Sequence, residues 1–251
     1  MLYDLTQLTE EERHLLVNFA LLPAESQLVT LLIEVFTPED KIAFTKQLKS
    51  LAKKGWLNTD TISYRMSPVV QQIVLEKNKN TLLKDSANLI SNLSYRLKHT
   101  GSTLINTKNH ATAKPFAEIA KSATWLLKNK TFEIGILHIH LCDYYKVVGN
   151  FKASIIQINK ALEIFEKNDK ENHLVCLERF GDIYQLQGDF KKALSFFELR
   201  SQLAKELFNA NPEKESLKNG LAISYERLGS IYQKQGDFKK AIRFFKQYNN
   251  L

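Results

Sequence analysis

Nineteen residues of this chain occur twice. GDIYQLQGDFKKALSFFEL at Gly181–Leu199 returns 48 residues later as GSIYQKQGDFKKAIRFFKQ at Gly229–Gln247, with thirteen of the nineteen positions identical. Self-similarity at a fixed period marks a stacked repeat, in which each unit buries the same face against its neighbour. No single residue constrains the fold as strongly. Within one copy, Leu177, Phe180, Ile183 and Tyr184 lie three or four positions apart, which predicts a helix with one apolar stripe. Gly181 sits inside that stripe without a side chain, as the close approach of a second helix would require. Gly188-Asp189 stops the helix: glycine reaches the left-handed C′ conformation, and aspartate caps the next N-terminus. A second helix starts at Phe190 and presents Ala193, Leu194, Phe196 and Phe197. The unit is helix, tight turn, helix.

Gly181, Tyr184, Gly188, Ala193 and Phe197, matched by Gly229, Tyr232, Gly236, Ala241 and Phe245, resemble the tetratricopeptide repeat (TPR) pattern. A weaker copy at Leu141–Phe165 carries Cys142, Tyr145, Gly149, Phe151, Ser154 and Ala161 in the corresponding places. The repeats are clearest over 134–168, 174–211 and 222–248. Their period of 48 exceeds the usual 34 or so of this repeat. The excess falls in Glu198–Asn211, which extends the second helix toward Pro212; a helix from Phe190 to Ala210 would be about 31 Å long. The resemblance implies an α-solenoid of antiparallel helix pairs in a right-handed superhelix, whose first helices line a concave groove. Carried over position by position, the groove residues are Asp143 and Lys146, then Glu178, Asp182 and Gln185, then Glu226, Ser230, Gln233 and Lys234. Polar side chains on a helical wall suit recognition of a protein or peptide partner.

The front of the chain reads differently. Thr9 and Glu12 form a capping box opening a helix to about Ala20, and a second helix is predicted over Glu25–Val35. Thr37-Pro38-Glu39-Asp40, with proline at the first helical position, opens a third to Lys54 with Phe44, Leu48, Leu51 and Ala52 inward. Trp56-Leu57, the turn Asn58-Thr59-Asp60 and Ile62–Met66 predict a β-hairpin, and Pro68 begins a helix over Val69–Glu76. Three helices and a two-stranded wing make a winged helix, so the expected class is all-α with one small β-hairpin.

LTEEERHLLVNFALLP, FTKQLKSLAKKGWL and YRMSPVVQQIV, spread over Leu5–Glu76, resemble the winged-helix module that follows the nucleotide-binding core of STAND-class ATPases, the NB-ARC and NLR-like switch proteins. In that family the module commonly leads into helical repeats. The resemblance implies a winged-helix domain over 1–80, then a helical bridge and repeats over 81–251. It implies the regulatory, sensor half of a signalling switch, with a nucleotide-binding domain upstream, in trans or lost. It also implies a nucleotide-sensing position at Ser67, where the family usually places histidine; a serine hydroxyl can hydrogen-bond but lacks imidazole's charge. No G-x-x-x-x-G-K-S/T loop occurs in the sequence, so the chain is expected to be non-enzymatic and to hold no cofactor.

Between the modules, Thr81–His99, Pro115–Asn129 and Phe132–Val148 read as helices. Thr100–His110 (TGSTLINTKNH) reads as a loop or hinge. The formal net charge of +8 permits nucleic-acid binding without demanding it. The rival reading is a TPR-coupled winged-helix DNA-binding regulator, with Lys46, Lys49 and Lys53 on phosphates. That stripe lacks the Arg, Asn and Gln cluster that reads base edges. Cys142 and Cys176 are the two cysteines, too few for a disulfide framework, and a reduced cytoplasm fits. The apolar runs Leu15–Pro23 and Leu28–Phe36 fall short of a membrane span, and Glu10–Glu12 interrupt anything resembling a signal peptide. His138 and Cys142 share a helix face but lack further soft ligands for a metal. The last repeat is followed by no obvious polar capping helix, which would expose apolar surface at that end. Another segment, an end-to-end pairing, or further chain would cover it.

Overall fold

The computed structural model describes residues 3–101, 109–167 and 169–251. They divide into two compact units, Met1–Tyr144 and Tyr145–Leu251. The first contains α1 (Glu10–Phe19), β1 (Gln27–Leu28), α2 (Val29–Phe36), α3 (Lys41–Lys53), β2 (Asn58–Thr59) and β3 (Ser63–Arg65). It continues with α4 (Pro68–Lys77), α5 (Leu82–Asp85), α6 (Ala87–Gly101), α7 (Asn109–Leu127) and most of α8 (Phe132–Val147).

The capping box at Thr9 forms as the sequence predicts: Glu12 N donates to Thr9 Oγ1 at 3.2 Å, and Thr9 N donates to Glu12 Oε2 at 3.0 Å. Glu12 also accepts from Lys54 Nζ at 2.6 Å and from Ser50 Oγ at 2.5 Å, which ties α1 to α3. Helix, strand, two helices and two further strands give a winged helix. The wing has three strands in the order β1-β3-β2, antiparallel throughout, with Gln27 opposite Tyr64 and Asn58 opposite Arg65. The sequence reading missed β1, because two residues leading straight into the apolar run of α2 carry no alternation of their own. The start of α3 is also corrected. Asp40, not Thr37, is the cap, its carboxylate accepting from Ile42 N and Ala43 N at 2.7 and 3.0 Å. Thr37 instead closes α2 at φ 45°, which leaves Pro38 outside both helices.

The helix expected over Thr81–His99 breaks at Ser86, whose hydroxyl donates to Leu83 O at 3.2 Å. Beyond the break α6 packs against α2, and Asn92 Nδ2 donates to Val35 O and to Thr37 Oγ1 at 3.3 and 2.8 Å. Thr100 and Gly101 close α6, while Asn109 and His110 open α7. The centre of the expected loop, 102–108, lies outside the described residues.

The second unit holds the end of α8, then α9 (Phe151–Phe165), α10 (Lys170–Leu186), α11 (Phe190–Ala210), α12 (Glu215–Lys234) and α13 (Phe238–Asn249). Here the sequence period becomes a structural one. Tyr184 stacks on Phe196 with centroids 5.6 Å apart, and Tyr232 stacks on Phe244 at the same distance. Lys192 lies over the Tyr184 ring at 5.2 Å, and Lys240 over the Tyr232 ring at 4.9 Å. The 21 residues of α11 run from Phe190 to Ala210, so the long period is absorbed by a long second helix. A side chain on Gly181 would overlap the Phe197 ring, and one on Gly229 would lie 2.6 Å from Phe245. The glycine inside the stripe is thus there for helix approach.

Alanine should act with opposite signs at two glycines of this unit. Gly188, at φ +78°, closes α10 in the left-handed region, and Gly188→Ala should cost about 1 kcal/mol. Gly220, inside α12, would meet only Leu174, at 3.9 Å, and Gly220→Ala should stabilise by up to about 1 kcal/mol through helix propensity. Urea denaturation of both variants tests the pair.

Candidate protein-binding surface

α10 and α12, the first helices of successive units, lie side by side and are joined by charge. Glu178 on α10 accepts from Arg227 Nη2 on α12 at 2.8 Å and from Arg227 Nε at 3.2 Å. Its other oxygen lies 3.3 Å from Arg200 Nη2 on α11. Arg200 is only 4% exposed; it donates to Gly220 O at 2.9 Å and to the Ser224 hydroxyl. The carboxylate therefore sits between two guanidinium groups from two different helices. Its burial favours the neutral acid, but the charge of Arg200 and the hydrogen bond and charge of Arg227 outweigh it, holding Glu178 below its ordinary 4.5. Burial also draws Arg200 below its usual value, opposed first by Glu178. Arginine keeps its proton at any accessible pH, so the carboxylate sets the pH response of the trio.

The other positions drawn from the TPR resemblance fall as follows. Lys146, near the end of α8, pairs with Asp182 on α10 at 3.6 Å, both largely covered. Gln185, Glu226 and Ser230 are half-buried, while Gln233 and Lys234 are exposed at the end of α12. Asp143 is half-buried on α8, three residues before Lys146. Glu178 stands apart from this set because its oxygens are committed to arginines of its own unit. Sequence reasoning missed Arg200, Arg227 and Ser224. A signal was present: Glu178-Arg179 recurs as Glu226-Arg227 at the repeat offset, and the bond runs from the arginine of the later copy to the glutamate of the earlier.

In the first unit, Lys46, Lys49 and Lys53 are exposed on α3, opposite the buried Phe44, Leu48 and Leu51. Ser67 caps α4, its Oγ accepting from Val70 N at 3.3 Å. His138 and Cys142 are buried on α8. Among the described residues no three His, Cys, Asp or Glu side chains gather where a metal could be held, and no helix is long and apolar enough to cross a membrane.

Residues 133–206 match a tetratricopeptide repeat family model, and residues 224–248 match a second. The chain carries tetratricopeptide repeats. TPRs are protein-interaction modules, and α10–α13 have the helix pairing such a module needs. No curated protein matches the chain. Among solved structures, BtubC (BKLC) from P. vanneervenii is 13% identical and aligns over 89% of each chain with a TM-score of 0.50, a likeness of fold. A Signal Transduction ATPase with Numerous Domains (STAND) protein with a tetratricopeptide repeat sensor, from Pyrococcus horikoshii, is 17% identical. It aligns over 98% of this chain and 51% of its own with a TM-score of 0.32, too low to carry structural inference. This chain spans about half the length of that protein.

Proposed function

We propose that the TPR wall formed by α10 and α12 receives a segment of another protein, and that this chain is the sensor half of a STAND-type switch. What supports the first part is the polar set Gln185, Glu226, Ser230, Gln233 and Lys234, half-buried or exposed on α10 and α12. It is presented on helices whose spacing is fixed by Glu178–Arg227 and, toward α8, by Lys146–Asp182. A wall locked by its own ion pairs is pre-organised, so less ordering cost falls on the bound state. The second part rests on the winged helix followed by TPRs and on the sequence likeness over Leu5–Glu76. In this reading residues 1–80 couple to a nucleotide-binding domain while residues 81–251 bind the partner, and the chain itself makes and breaks no bond.

Capture from source-cell lysate, compared with the Glu226→Ala/Ser230→Ala/Gln233→Ala variant by quantitative mass spectrometry, tests the surface. At least one captured protein should fall about tenfold with the variant; identical captures would sink the proposal. Cross-linking the full chain through its lysines tests the switch, which requires a P-loop ATPase joined to the winged helix. Salt-dependent binding of duplex DNA, lost when Lys46, Lys49 and Lys53 are changed to alanine, would instead make the winged helix a DNA reader.

A further inference from the structure

We propose that a cavity between α1, α3 and α6 binds a small aromatic amine: a flat ring with an N–H donor, joined by a short chain to a protonated amino group. The cavity has a volume of about 380 Å³, the size of a small-molecule site. It belongs wholly to the first unit. Leu15 of α1, Phe36 of α2, Phe44 of α3 and Leu89 of α6 give it apolar walls. The Phe36 and Phe44 rings are 5.6 Å apart and tilted by 41°. Walls of this kind favour a flat ring.

One buried polar atom of the lining has no partner. Asn18 is 2% exposed, and its Nδ2 commits its hydrogens to His14 O and Asp85 O, each at 2.9 Å. Those two bonds fix which way the amide faces, so the atom left unpaired is the carbonyl oxygen. A buried acceptor in that state is unfavourable, and an N–H on the bound ring relieves it. Nearer solvent, the lining includes Glu10 and Glu11 from the first turn of α1, both exposed. Among the described residues that line the cavity there is no lysine or arginine. The site therefore lacks what a phosphate or carboxylate needs and offers a cation two carboxylates. Acceptor at the buried end, apolar walls and acids near solvent together define the ligand class.

The probe is tryptamine, titrated into the full chain by calorimetry. Two analogues accompany it: one methylated on the ring nitrogen, and indolepropionate, with a carboxylate in place of the amine. Ring methylation should weaken binding about tenfold, through loss of the bond to Asn18. Indolepropionate should bind about tenfold weaker than tryptamine. The capping box uses Glu12, so Glu10→Gln/Glu11→Gln leaves it intact. That variant should weaken tryptamine about threefold and tighten indolepropionate by a similar factor. Gln47→Arg, which brings a cation to the half-buried lining of α3, should reverse the preference between them. Circular dichroism checks that both variants fold. No binding of tryptamine to the folded chain would overturn the proposal, as would a methylated analogue that binds equally well or a preference unmoved by either variant. So would a capped Trp-Lys dipeptide that binds more tightly than tryptamine, because a protein segment would then be the occupant.

Discussion

Replacing Glu178 with alanine is expected to destabilise the TPR unit by about 3–5 kcal/mol. The carboxylate is the only acid within an ion pair's reach of Arg200 among the described residues, and Arg200 is 4% exposed. Removing Glu178 leaves a buried guanidinium whose remaining hydrogen-bond partners among the described residues are Gly220 O and the Ser224 hydroxyl, with Asp182 acting on it only through its charge. The loss comes mainly from that uncompensated charge rather than from the attraction itself. Removing both charges should therefore hurt less than removing one. The double variant Glu178→Ala/Arg200→Met replaces the arginine with an unbranched apolar chain and should recover at least half of the lost stability, read from urea midpoints. If the double variant were as unstable as the sum of the singles, the buried charge would not be the cause.

The same network gives the unit an acid response of known sign. Glu178 has its folded value held below 4.5 by the two arginines. A depressed carboxylate contributes stability that is fully present above its unfolded value and lost as pH falls through its folded one. The difference in stability between wild type and Glu178→Gln should therefore be largest near neutrality and shrink as pH is taken below 4.5. A difference that grew on acidification would reverse the assignment.

How much of this was legible in the sequence depends on how local the cause is. Helix ends set by one side chain and one turn, such as the caps at Thr9, Asp189 and Asp237, could be read directly because the cap and its amide lie three residues apart. The long second helix of the repeat followed from period and proline alone. The cap at Asp40 was misplaced because Thr37-Pro38 offered the same chemistry three residues earlier, and only the left-handed turn at Thr37 decides between them. β1 was invisible because its pairing partner, β3, lies some 36 residues away and two residues make no pattern of their own. At the candidate surface, the first helices of the repeat pairs were legible from the repeat, whereas the role of Glu178 was not. Its partners come from α11 and α12, and a single-position carry-over does not see a side chain that bridges successive repeats.

Gly181→Ala is expected to cost about 2 kcal/mol although alanine is the better helix former. Left to propensity, the change would stabilise α10 by about 1 kcal/mol. Against that, the added methyl would lie only 2.3–2.6 Å from three carbons of the Phe197 ring, which is 1% exposed and enclosed by neighbouring side chains. An aromatic ring so enclosed cannot swing aside, so α10 and α11 must part or the ring must leave its rotamer, and overpacking of this kind costs about 1–3 kcal/mol. Gly229 makes the same approach to Phe245 at 2.6 Å, but Phe245 is half-buried on α13 and can turn outward. Gly229→Ala should therefore be much milder, and the contrast between two copies of one motif isolates confinement of the ring as the cause. Trimming the ring completes the test: in the background of Phe197→Leu, Gly181→Ala should lose most of its penalty, a coupling that a double-mutant cycle measures directly. Additive effects in that cycle would mean that the glycine is required for some reason other than the contact between its helix and Phe197.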